Sequence, residues 1–454
     1  MTSGYTNNPD AVDALVQPDA VHRDVYLSDE LFELEMQHLF HDSWVFVGHD
    51  SQVPNTGDYI TTTIGRIPVI MIRTVDGAIS VLLNRCAHKG SKLLSAAQGN
   101  VRSVLRCPYH GWTYEFTGEL KFIPLKGGYE GTGLDKAPAN SGMTSVAGVK
   151  NYRGFVFGQL SGAGLSFADY FGDSLSSIDN MVDRAPEGRL EVVGGTLRYA
   201  HNCNWKLWVE NLNDNMHPMV AHASSAGTAK DLWYANEDRE GADSSGEPPQ
   251  KKPMVVEQFE PFVAGYDFMD NMGVQICGNG HSYGGANFSI HSGYSEIPEY
   301  DEAMIAAYGE ERTKEIFSTN RHNTVYYPTL TIKGAIQTIR VARPISANKT
   351  VIDSYTLRLV GAPDALLNRS LIYNRLINSP TSVVGHDDLH CYRAIQEGLE
   401  SSGNPWVSLH RGHAAAESEG QVGLYNGTNE ISMRGQFRAW RDVIVAGMKR
   451  AQSS

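Results

Sequence analysis

The chain has 454 residues, a formal net charge of −13 at pH 7 and 41% hydrophobic residues. This length is too great for one ordinary hydrophobic core and predicts two or three domains. The acidic balance and the lack of a basic cluster argue against binding to nucleic acid or to an anionic membrane surface. Five cysteines without regular spacing favour a reducing compartment. Neither a signal peptide nor an apolar run of roughly 18 residues is visible, so we expect a cytoplasmic protein.

Within the first 162 residues, the sequence pattern changes near Trp44 from a helical to a β-strand type. Residues 1–43 comprise a polar arm and a predicted helix that begins after Ser28, a suitable N-cap. Residues 44–162 contain short runs rich in β-branched residues, separated by glycine-containing turn signals. We predict that residues 44–162 form a small all-β domain with a glycine-rich surface insert from Gly127 to Met143.

Two short loops within this predicted domain carry metal-binding residue types. Cys86 and His88 form a C-x-H pair. After eighteen intervening residues, Cys107 and His110 form a C-x2-H pair. Two thiolates and two imidazoles suit a [2Fe–2S] cluster with both cysteines on one iron and both histidines on the other. The alternatives are a Cys2His2 zinc site or four unrelated residues. Zinc sites, however, usually pair C-x2-4-C with H-x3-5-H.

These two pairs, continued by G-W-T-Y from Gly111, resemble the Rieske signature. In respiratory-chain Rieske proteins two further cysteines form a disulfide across the loops. Ser91 and Tyr109 occupy those places here, so no such disulfide can form. Trp112 stands where those proteins have a serine that donates to the cluster. Fewer hydrogen bonds to the cluster sulfurs imply a lower reduction potential, which suits a relay that accepts electrons from a ferredoxin or flavin donor.

Helices and strands mix after Leu165. The sequence pattern predicts a strand at Leu190–Tyr199, a helix from Trp205 to about Ala223, antiparallel strands between Val325 and Val360, and helices at Ala365–Asn378 and His390–Leu399. The polar stretch from Gly227 to Pro253 is either a lid near the site or a plain loop.

A second group of metal-binding residue types begins in the predicted helix after Trp205. His217 and His222, five positions apart, would lie about 140° apart on a regular helix. Pro218 removes a backbone donor, and the resulting distorted turn could bring the two imidazoles together. Taken alone, this pair is more simply one surface histidine and one core histidine.

The run from Asn204 to His222, with its N-W-K, E-N and D-x-x-H-x4-H elements, resembles the mononuclear iron motif of ring-hydroxylating oxygenase α subunits. That family holds Fe(II) with two histidines and one carboxylate. The run from Asp387 to Leu399 resembles the family's D-D…Q-x-G-L segment, in which the second aspartate is the ligand. The resemblance therefore implies His217, His222 and Asp388 as ligands, with Asp387 as the alternative. An isolated Asp-Asp pair would more simply cap a helix.

The resemblance also gives Asp214 a role. In this family the aspartate of D-x-x-H lies at a subunit boundary. There it accepts a hydrogen bond from the iron-binding histidine, here His217, and from a cluster histidine of the neighbouring chain, here His110 of the partner subunit. A carboxylate between two imidazoles would orient both rings. The alternative is an ordinary helical acid.

The resemblance to Rieske non-haem iron oxygenase α subunits covers nearly the whole chain. It implies an α+β fold in which the all-β Rieske domain, residues 44–162, is inserted into a larger catalytic domain made of residues 1–43 and 163–454. That domain would have a central antiparallel sheet with surrounding helices, of the helix-grip or START-like kind. The implied cofactors are a [2Fe–2S] cluster and a mononuclear Fe(II).

The implied function is the terminal oxygenase α subunit of a multicomponent Rieske system. Such a subunit uses O2 and NAD(P)H-derived electrons to hydroxylate or dihydroxylate an aromatic ring. The implied partners are a ferredoxin or flavin reductase, two further α subunits in a trimer, and in some systems a small β subunit. Two alternatives stay open: a Rieske N- or O-demethylase or monooxygenase acting on a non-acid substrate, and a Rieske electron carrier with an inert extension.

The substrate is the feature that the sequence conveys least. The glycine-rich insert and the run Asn429–Gly435 most resemble the salicylate and terephthalate hydroxylating branch, whose substrates carry a carboxylate. A planar guanidinium binds a carboxylate through two parallel charge-assisted hydrogen bonds. Arg340, within a strand-like run of β-branched residues, is the first candidate and Arg434 the second. Alternatively, Arg340 faces solvent, Arg434 pairs with Glu430, and the substrate is a neutral or larger aromatic.

Overall fold

The computed structural model describes residues 4–136, 141–240, 252–293, 296–415 and 422–453. Internal contacts divide the chain into two compact units, Leu34–Tyr170 and the combination of Met1–Glu33 with Phe171–Ser454. The smaller unit is therefore inserted into the larger one along the chain, and the predicted α+β fold class is confirmed. Residues 34–43 and 163–170, which the sequence analysis assigned to the catalytic domain, belong to the smaller unit.

The smaller unit consists mainly of short antiparallel strands. Their β-branched residues pair in one four-stranded and two three-stranded sheets. The strands are, sheet by sheet, Ile79–Leu83, Ile67–Arg73, Asp58–Ile64 and Gln98–Asn100; Gly148–Tyr152, Phe155–Gln159 and Val45–His49; and Leu105–Arg106, Thr113–Tyr114 and Leu120–Phe122. The predicted glycine-rich insert contains short helical turns at Lys126–Tyr129 and Gly133–Lys136, while its residues 137–140 lie outside the described residues.

An antiparallel eight-stranded sheet forms the centre of the larger unit. In sheet order its strands are Leu190–His201, Lys349–Leu359, Thr338–Ser346, Leu330–Lys333, Thr324–Tyr326, His281–Gly284, Val274–Gly278 and Gly423–Tyr425. The strands predicted at Leu190–Tyr199 and within Val325–Val360 are thus part of this sheet. A separate pair joins Ala20–His22 to Trp406–Ser408. Because side chains alternate along a strand, the register of the sheet decides which polar side chains share a face.

Helices accompany this sheet, including Asp364–Asn378 against the strand Lys349–Leu359. Among the described residues, the α-helices of the larger unit are Pro9–Asp13, Asp24–Leu27, Ser176–Asp183, Trp205–Asn211, Pro218–Ala221, Thr228–Glu240, Met254–Phe259, Tyr266–Asn271, Pro298–Tyr308, Glu310–Ser318, Asp364–Asn378, Val383–Leu399 and Ile431–Gln452. Helices Asp29–Leu34 and Phe167–Phe171 span the chain boundaries between the two units, and Phe40–Asp42 belongs to the smaller one. Within the described ranges, no helix is long and apolar enough to cross a membrane.

The single helix predicted from Trp205 to about Ala223 is wrong in its middle. The first helix ends at Asn211, and a short helix resumes only at Pro218–Ala221. Between them the Asp214 carboxylate accepts hydrogen bonds from the backbone N–H groups of Met216 and His217, at 2.8 and 3.3 Å. Such a local side-chain acceptor competes with helix continuation.

The predicted lid or loop from Gly227 to Pro253 begins as the helix Thr228–Glu240. Its residues 241–251 lie outside the described residues. Neither interpretation of this stretch is therefore decided by its structure.

Candidate metal centres and active site

The two predicted cluster loops share one backbone design. In each loop a glycine amide donates to the carbonyl of the cysteine that opens it, Gly90 to Cys86 at 2.9 Å and Gly111 to Cys107 at 3.1 Å. Both glycines have positive φ values, 75° and 73°, a conformation that residues with a Cβ rarely adopt. The repeated turn presents the two cysteine–histidine pairs in the same way.

The thiols and the imidazoles of these loops lie in different environments. Cys86 and Cys107 are buried, whereas His110 is exposed and His88 is half-buried. The two imidazole centroids lie 4.7 Å apart, and the His88 ring stacks on Trp112 at 4.8 Å. The four side chains are thus grouped as two buried thiols and two neighbouring imidazoles, and the His88 Nδ1 is a buried polar atom, which fits a Rieske [2Fe–2S] cluster.

Hydrogen bonds around the Cys107 sulfur favour its thiolate form. Burial opposes ionisation of the Cys107 thiol, but the backbone N–H groups of Tyr109 and His110 donate to it and lower its pKa overall. The Tyr114 hydroxyl lies 3.1 Å from Cys86 Sγ. Sequence analysis missed this hydroxyl, which stands two residues after the tryptophan that replaces the usual serine donor. All five cysteines are free, as expected without the cross-loop disulfide.

The three predicted iron ligands of the larger unit converge. His217 precedes the short helix Pro218–Ala221 and His222 follows it, so the four-residue helix brings the imidazole centroids to 5.3 Å. Asp388 Oδ1 lies 3.5 Å from His217 Nε2 and 3.4 Å from His222 Nε2. One ligand atom from each of the three residues lies within 4.8 Å of the others. Two imidazoles and one carboxylate are the donor set of a non-haem Fe(II) facial triad.

Neighbouring side chains hold these three groups in place. Asp387 Oδ2 lies 3.2 Å from His222 Nδ1 and accepts a 2.6 Å hydrogen bond from the Ser225 hydroxyl. Asn211 Nδ2 lies 3.1 Å from His217 Nε2 and donates to Asp388 Oδ1 at 3.3 Å. A carboxylate on the far nitrogen of a ligand histidine fixes its tautomer and its orientation.

The adjacent aspartates do not cap their helix. Helix Val383–Leu399 is capped by the Ser382 side chain, and Asp387 and Asp388 follow inside it. Asp387, the alternative ligand of the sequence analysis, contacts the outer nitrogen of His222, while Asp388 contacts the inner one. Sequence analysis missed Asn211 and Ser225; the E-N element of the motif was the available signal for Asn211.

Burial sets the protonation of the triad. It lowers the pKa of His217 and of His222, so both imidazoles are neutral near pH 7, as metal binding requires. Burial raises the pKa of Asp388, an effect that His222 and Arg340 oppose. A bound cation would favour the ionised carboxylate further.

Asp214 lies beside the triad. Its Oδ2 is 3.8 Å from His217 Nδ1, a buried nitrogen. The Arg411 guanidinium lies 3.7 Å from its Oδ1. Because the Asp214 side chain keeps 23% of its surface exposed, a group from outside this unit can reach it.

Arg340 and Arg434, the two predicted substrate residues, lie in different settings. Arg340 is half-buried in the strand Thr338–Ser346, 3.5 Å from Asn323 Oδ1 and with its guanidinium carbon 5.5 Å from the centroid of the Trp208 ring. Its charge acts on the pKa of Asp388 and of His201, which places it in the electrostatic surroundings of the triad.

Arg434 is buried at the start of the helix Ile431–Gln452. It donates to the carbonyl oxygens of Leu409 and Arg411 and to Asn429. This guanidinium joins the backbone near Leu409 and Arg411 to the start of the C-terminal helix.

Two known families match the two halves of this arrangement. Residues 43–138 match the Rieske [2Fe-2S] domain. Residues 189–446, more than half of the chain, match the catalytic domain of the ring-hydroxylating alpha subunit. The chain belongs to the ring-hydroxylating oxygenase α-subunit family. It is thus the terminal oxygenase of a Rieske system and uses a [2Fe–2S] cluster and a mononuclear iron, not an electron carrier with an inert extension.

Similar proteins include several dioxygenase large subunits. The anthranilate 1,2-dioxygenase large subunit of Acinetobacter baylyi is 31% identical over 87% of this chain and 80% of its own length. The 2-halobenzoate 1,2-dioxygenase large subunit of Burkholderia cepacia is 30% identical over 86% and 79%. The toluate 1,2-dioxygenase subunit alpha of Pseudomonas putida is 28% identical over 98% and 96%.

Solved structures share the fold. Naphthalene 1,2-dioxygenase with bound indole superposes with a TM-score of 0.74 at 24% identity, covering 99% of this chain and 98% of that one. A quaternary ammonium Rieske monooxygenase gives 0.63 at 18% identity over 98% of each chain. Members of the family work with ferredoxin or reductase partners and often form α3 or α3β3 assemblies.

Proposed function

We propose that this oxygenase hydroxylates or dihydroxylates the ring of an aromatic acid, using O2 and NAD(P)H-derived electrons. In this proposal Cys86, His88, Cys107 and His110 hold the [2Fe–2S] cluster. His217, His222 and Asp388 hold Fe(II), and Arg340 binds the substrate carboxylate. The observation that carries the choice of an acid is Arg340, a guanidinium beside the triad without a carboxylate partner in the described part of the chain.

The chain's own residues prepare the iron site. When bound, Fe(II) supplies the activation of dioxygen and the cluster supplies electrons. The neutral imidazoles of His217 and His222 would bind the iron through their Nε2 atoms. In His222, Asp387 accepts a hydrogen bond from Nδ1, so Nε2 is the nitrogen available to the metal. Asn211 holds Asp388 by its Oδ1. Phe262, edge-on to His222 with ring centroids 5.6 Å apart, limits access of water to that ring.

Electrostatics around Arg340 favour an anionic substrate. Tyr199 and Asn323 offer it hydroxyl and amide contacts, which leave most of its five N–H donors available. Arg340 is half-buried and makes no close ion pair with a carboxylate of the described residues, so a ligand carboxylate could accept two charge-assisted hydrogen bonds from its remaining donors. Toluate, 2-halobenzoate and anthranilate, named in three relatives, are aromatic acids, which agrees with this charge balance. The narrower assignment to the salicylate and terephthalate branch stays a prediction.

Substitution of Arg340 tests the acid assignment. We expect Arg340→Leu to raise the KM for an aromatic acid roughly 10- to 100-fold, because a charge-assisted bidentate contact is lost. The KM for the uncharged amide of the same acid should change far less. Steady-state O2 consumption with both compounds measures the difference. Arg358→Leu is the matched control, because Arg358 lies on the same sheet but is exposed and only 3.5 Å from an exposed Asp364.

Equal effects of Arg340→Leu on the acid and the amide would contradict the assignment. The main alternative is a demethylase or monooxygenase acting on a non-acid substrate. Product analysis separates it, since a demethylase releases formaldehyde whereas ring hydroxylation gives a diol or a phenol.

We further propose that three α subunits assemble, with or without small β subunits, and accept electrons from a ferredoxin or a flavin reductase. Asp214 would accept hydrogen bonds from His217 and from His110 of the partner subunit. Its partial exposure and its 3.8 Å distance from His217 Nδ1 support this arrangement, because a small rotation of the carboxylate would bring it within hydrogen-bond distance of that nitrogen.

A further inference from the structure

Arg411 lies in the wall of a cavity of the larger unit. The cavity has a volume of about 580 Å³, and its lining residues include both Arg411 and Met216, the residue before His217. The Arg411 side chain is 36% exposed. Its guanidinium is therefore at an accessible surface that borders the segment carrying a proposed iron ligand.

The Arg411 guanidinium stands between two carboxylates. Its Nη2 is 3.7 Å from Asp214 Oδ1 and 3.4 Å from Glu430 Oε1. Two carboxylates beside the same nitrogen repel each other, and the cation between them offsets that repulsion. The position of Arg411 therefore affects where the Asp214 carboxylate lies.

The backbone around Arg411 fixes the origin of its side chain. The Arg411 N–H donates to Glu430 Oε2 at 2.8 Å, and Arg411 Nε donates to the Thr428 carbonyl oxygen at 2.6 Å. The Arg411 carbonyl oxygen accepts from the Glu430 N–H and from Arg434 Nη1, both at 3.1 Å. Arg434, the second predicted substrate residue, thus holds the segment that presents Arg411 to Asp214.

The donors around Asp214 distinguish its two oxygens. The backbone N–H groups of Met216 and His217 donate to Oδ1, and Arg411 approaches the same oxygen from another segment of the chain. Oδ2 is the oxygen that lies 3.8 Å from His217 Nδ1. Donors from two segments limit the rotation of a carboxylate, because each must be kept within reach. Arg411 therefore favours the orientation in which Oδ2 faces the imidazole.

The contact between Arg411 and Asp214 is a poor source of stability. Ion pairs of partly exposed side chains contribute little to the free energy of unfolding, because solvent screens them. Its consequence is instead the direction of the carboxylate beside His217.

We propose that Arg411 is a positioning residue for electron transfer between the two metal centres. It holds Asp214 Oδ1, so that the carboxylate stays in the orientation that bridges His217 and His110 of the partner subunit. This inference rests on the proposed function, because it takes Asp214 to form that bridge. Arg411 itself contacts neither metal site and acts through Asp214.

The reduction potential of the cluster tests this role without any substrate. In the proposed bridge Asp214 accepts from a cluster ligand, so its charge and direction act on the potential. Redox titration of the enzyme with both metal centres loaded, followed by visible absorption, measures the midpoint. We expect Asp214→Asn to raise the potential, because loss of a negative charge beside the cluster stabilises its reduced form.

Arg411→Met should also raise the potential, by less than Asp214→Asn, because the carboxylate turns away from the bridge. Loss of a cation acting only through space would lower the potential instead, so the sign of the shift distinguishes the two roles. Arg411→Lys keeps the charge but not the planar fork and should give a smaller rise. Arg411→Met should cause no further rise in an Asp214→Asn background.

Arg312→Met is the matched control. The Arg312 guanidinium, on the helix Glu310–Ser318, also lies between two carboxylates, 2.7 Å from Asp183 and 2.6 Å from Glu315. We expect this variant to leave the potential unchanged. Light scattering checks that each variant keeps the molar mass of the unaltered enzyme; if Arg411→Met does not, Arg411→Lys decides the matter.

The contrary outcomes are distinct. If Asp214→Asn raises the potential but Arg411→Met lowers it or leaves it unchanged, the positioning role of Arg411 is wrong while the bridge stands. An equal rise on Arg411→Met with and without Asp214→Asn would likewise show that Arg411 does not act through Asp214. If Asp214→Asn itself does not raise the potential, the proposed bridge fails, and the inference about Arg411 fails with it.

Discussion

The two metal centres are built in opposite ways. The cluster loops are local: each cysteine–histidine pair comes from one turn closed by a glycine amide. The iron triad is assembled from distant parts of the chain, with His217 and His222 around one short helix and Asp388 from the helix Val383–Leu399. Its ligands depend on the packing of several elements and on the neighbours Asn211, Asp387 and Ser225.

This difference predicts how each metal centre responds to substitutions elsewhere in the chain. The turns of the cluster loops are specified by a few adjacent residues, so they survive changes elsewhere. The triad geometry instead depends on how the helices Pro218–Ala221 and Val383–Leu399 pack against each other, and its neighbours can adjust pKa and orientation without altering the ligands. Removing a cluster ligand should therefore have a local effect, whereas changes around the triad should produce graded effects.

The largest expected effect is at the cluster. Cys107→Ser should remove the visible absorption of the purified protein, because a buried serine hydroxyl cannot replace a thiolate on iron. Absorption spectra and iron content measure the loss. Cys277→Ser is the matched control, since Cys277 is half-buried in the central sheet and should leave the spectrum unchanged. Persistence of the red-brown colour in Cys107→Ser would show that the cluster assignment is wrong.

The second effect is at the triad and separates the two adjacent aspartates. Asp388→Ala should abolish turnover and lose about one iron per chain while the cluster spectrum stays intact, because the facial triad loses its carboxylate. Asp387→Asn should retain iron but bind it about 10- to 100-fold more weakly, because it loses the acceptor for His222 Nδ1. Iron analysis after dialysis and O2 consumption distinguish the two. Full activity in Asp388→Ala, with loss in Asp387→Ala, would move the ligand by one residue.

The smallest effect concerns communication between the centres. Asp214→Asn removes the charge but keeps an oxygen for the backbone amides of Met216 and His217, so the turn should persist. We expect both metals to load and electron transfer from the reduced cluster to slow by about tenfold, since the bridge between imidazoles weakens. Single-turnover reoxidation of the cluster measures this rate. A strictly monomeric enzyme with full activity would refute the role of Asp214 between subunits.

The sequence predicted the parts that short motifs specify. C-x-H and C-x2-H contain every proposed cluster ligand, and the D-x-x-H-x4-H and D-D segments contain the proposed triad. The interruption of the helix after Asn211 was not foreseen, because it depends on which backbone amides the Asp214 carboxylate meets. Similarly, nothing near Arg411 in the sequence indicates that Asp214 lies beside it; only the folded chain determines that contact.

Arg340 and Arg434 illustrate the same limit. Both are charges in apolar surroundings, and their sequence contexts do not distinguish them. In the structure Arg434 donates to carbonyl oxygens of the chain, whereas the charge of Arg340 acts on the pKa of Asp388. The distinction depends on which acceptors the folded backbone offers, and this is a property of tertiary structure.

The tandem aspartates have a mechanical consequence. Neighbouring positions on an α-helix differ by about 100°, yet Asp388 and Asp387 lie against the two opposite nitrogens of one imidazole ring, that of His222. One helix therefore contacts both nitrogens of the His222 ring through two adjacent carboxylates. Rotation of the helix about its axis would move one carboxylate away from the His222 ring and the other toward it. The two carboxylate–nitrogen distances would therefore change in opposite directions. A shift of the helix along its axis would instead move both carboxylates in the same direction, and the imidazole could move with them.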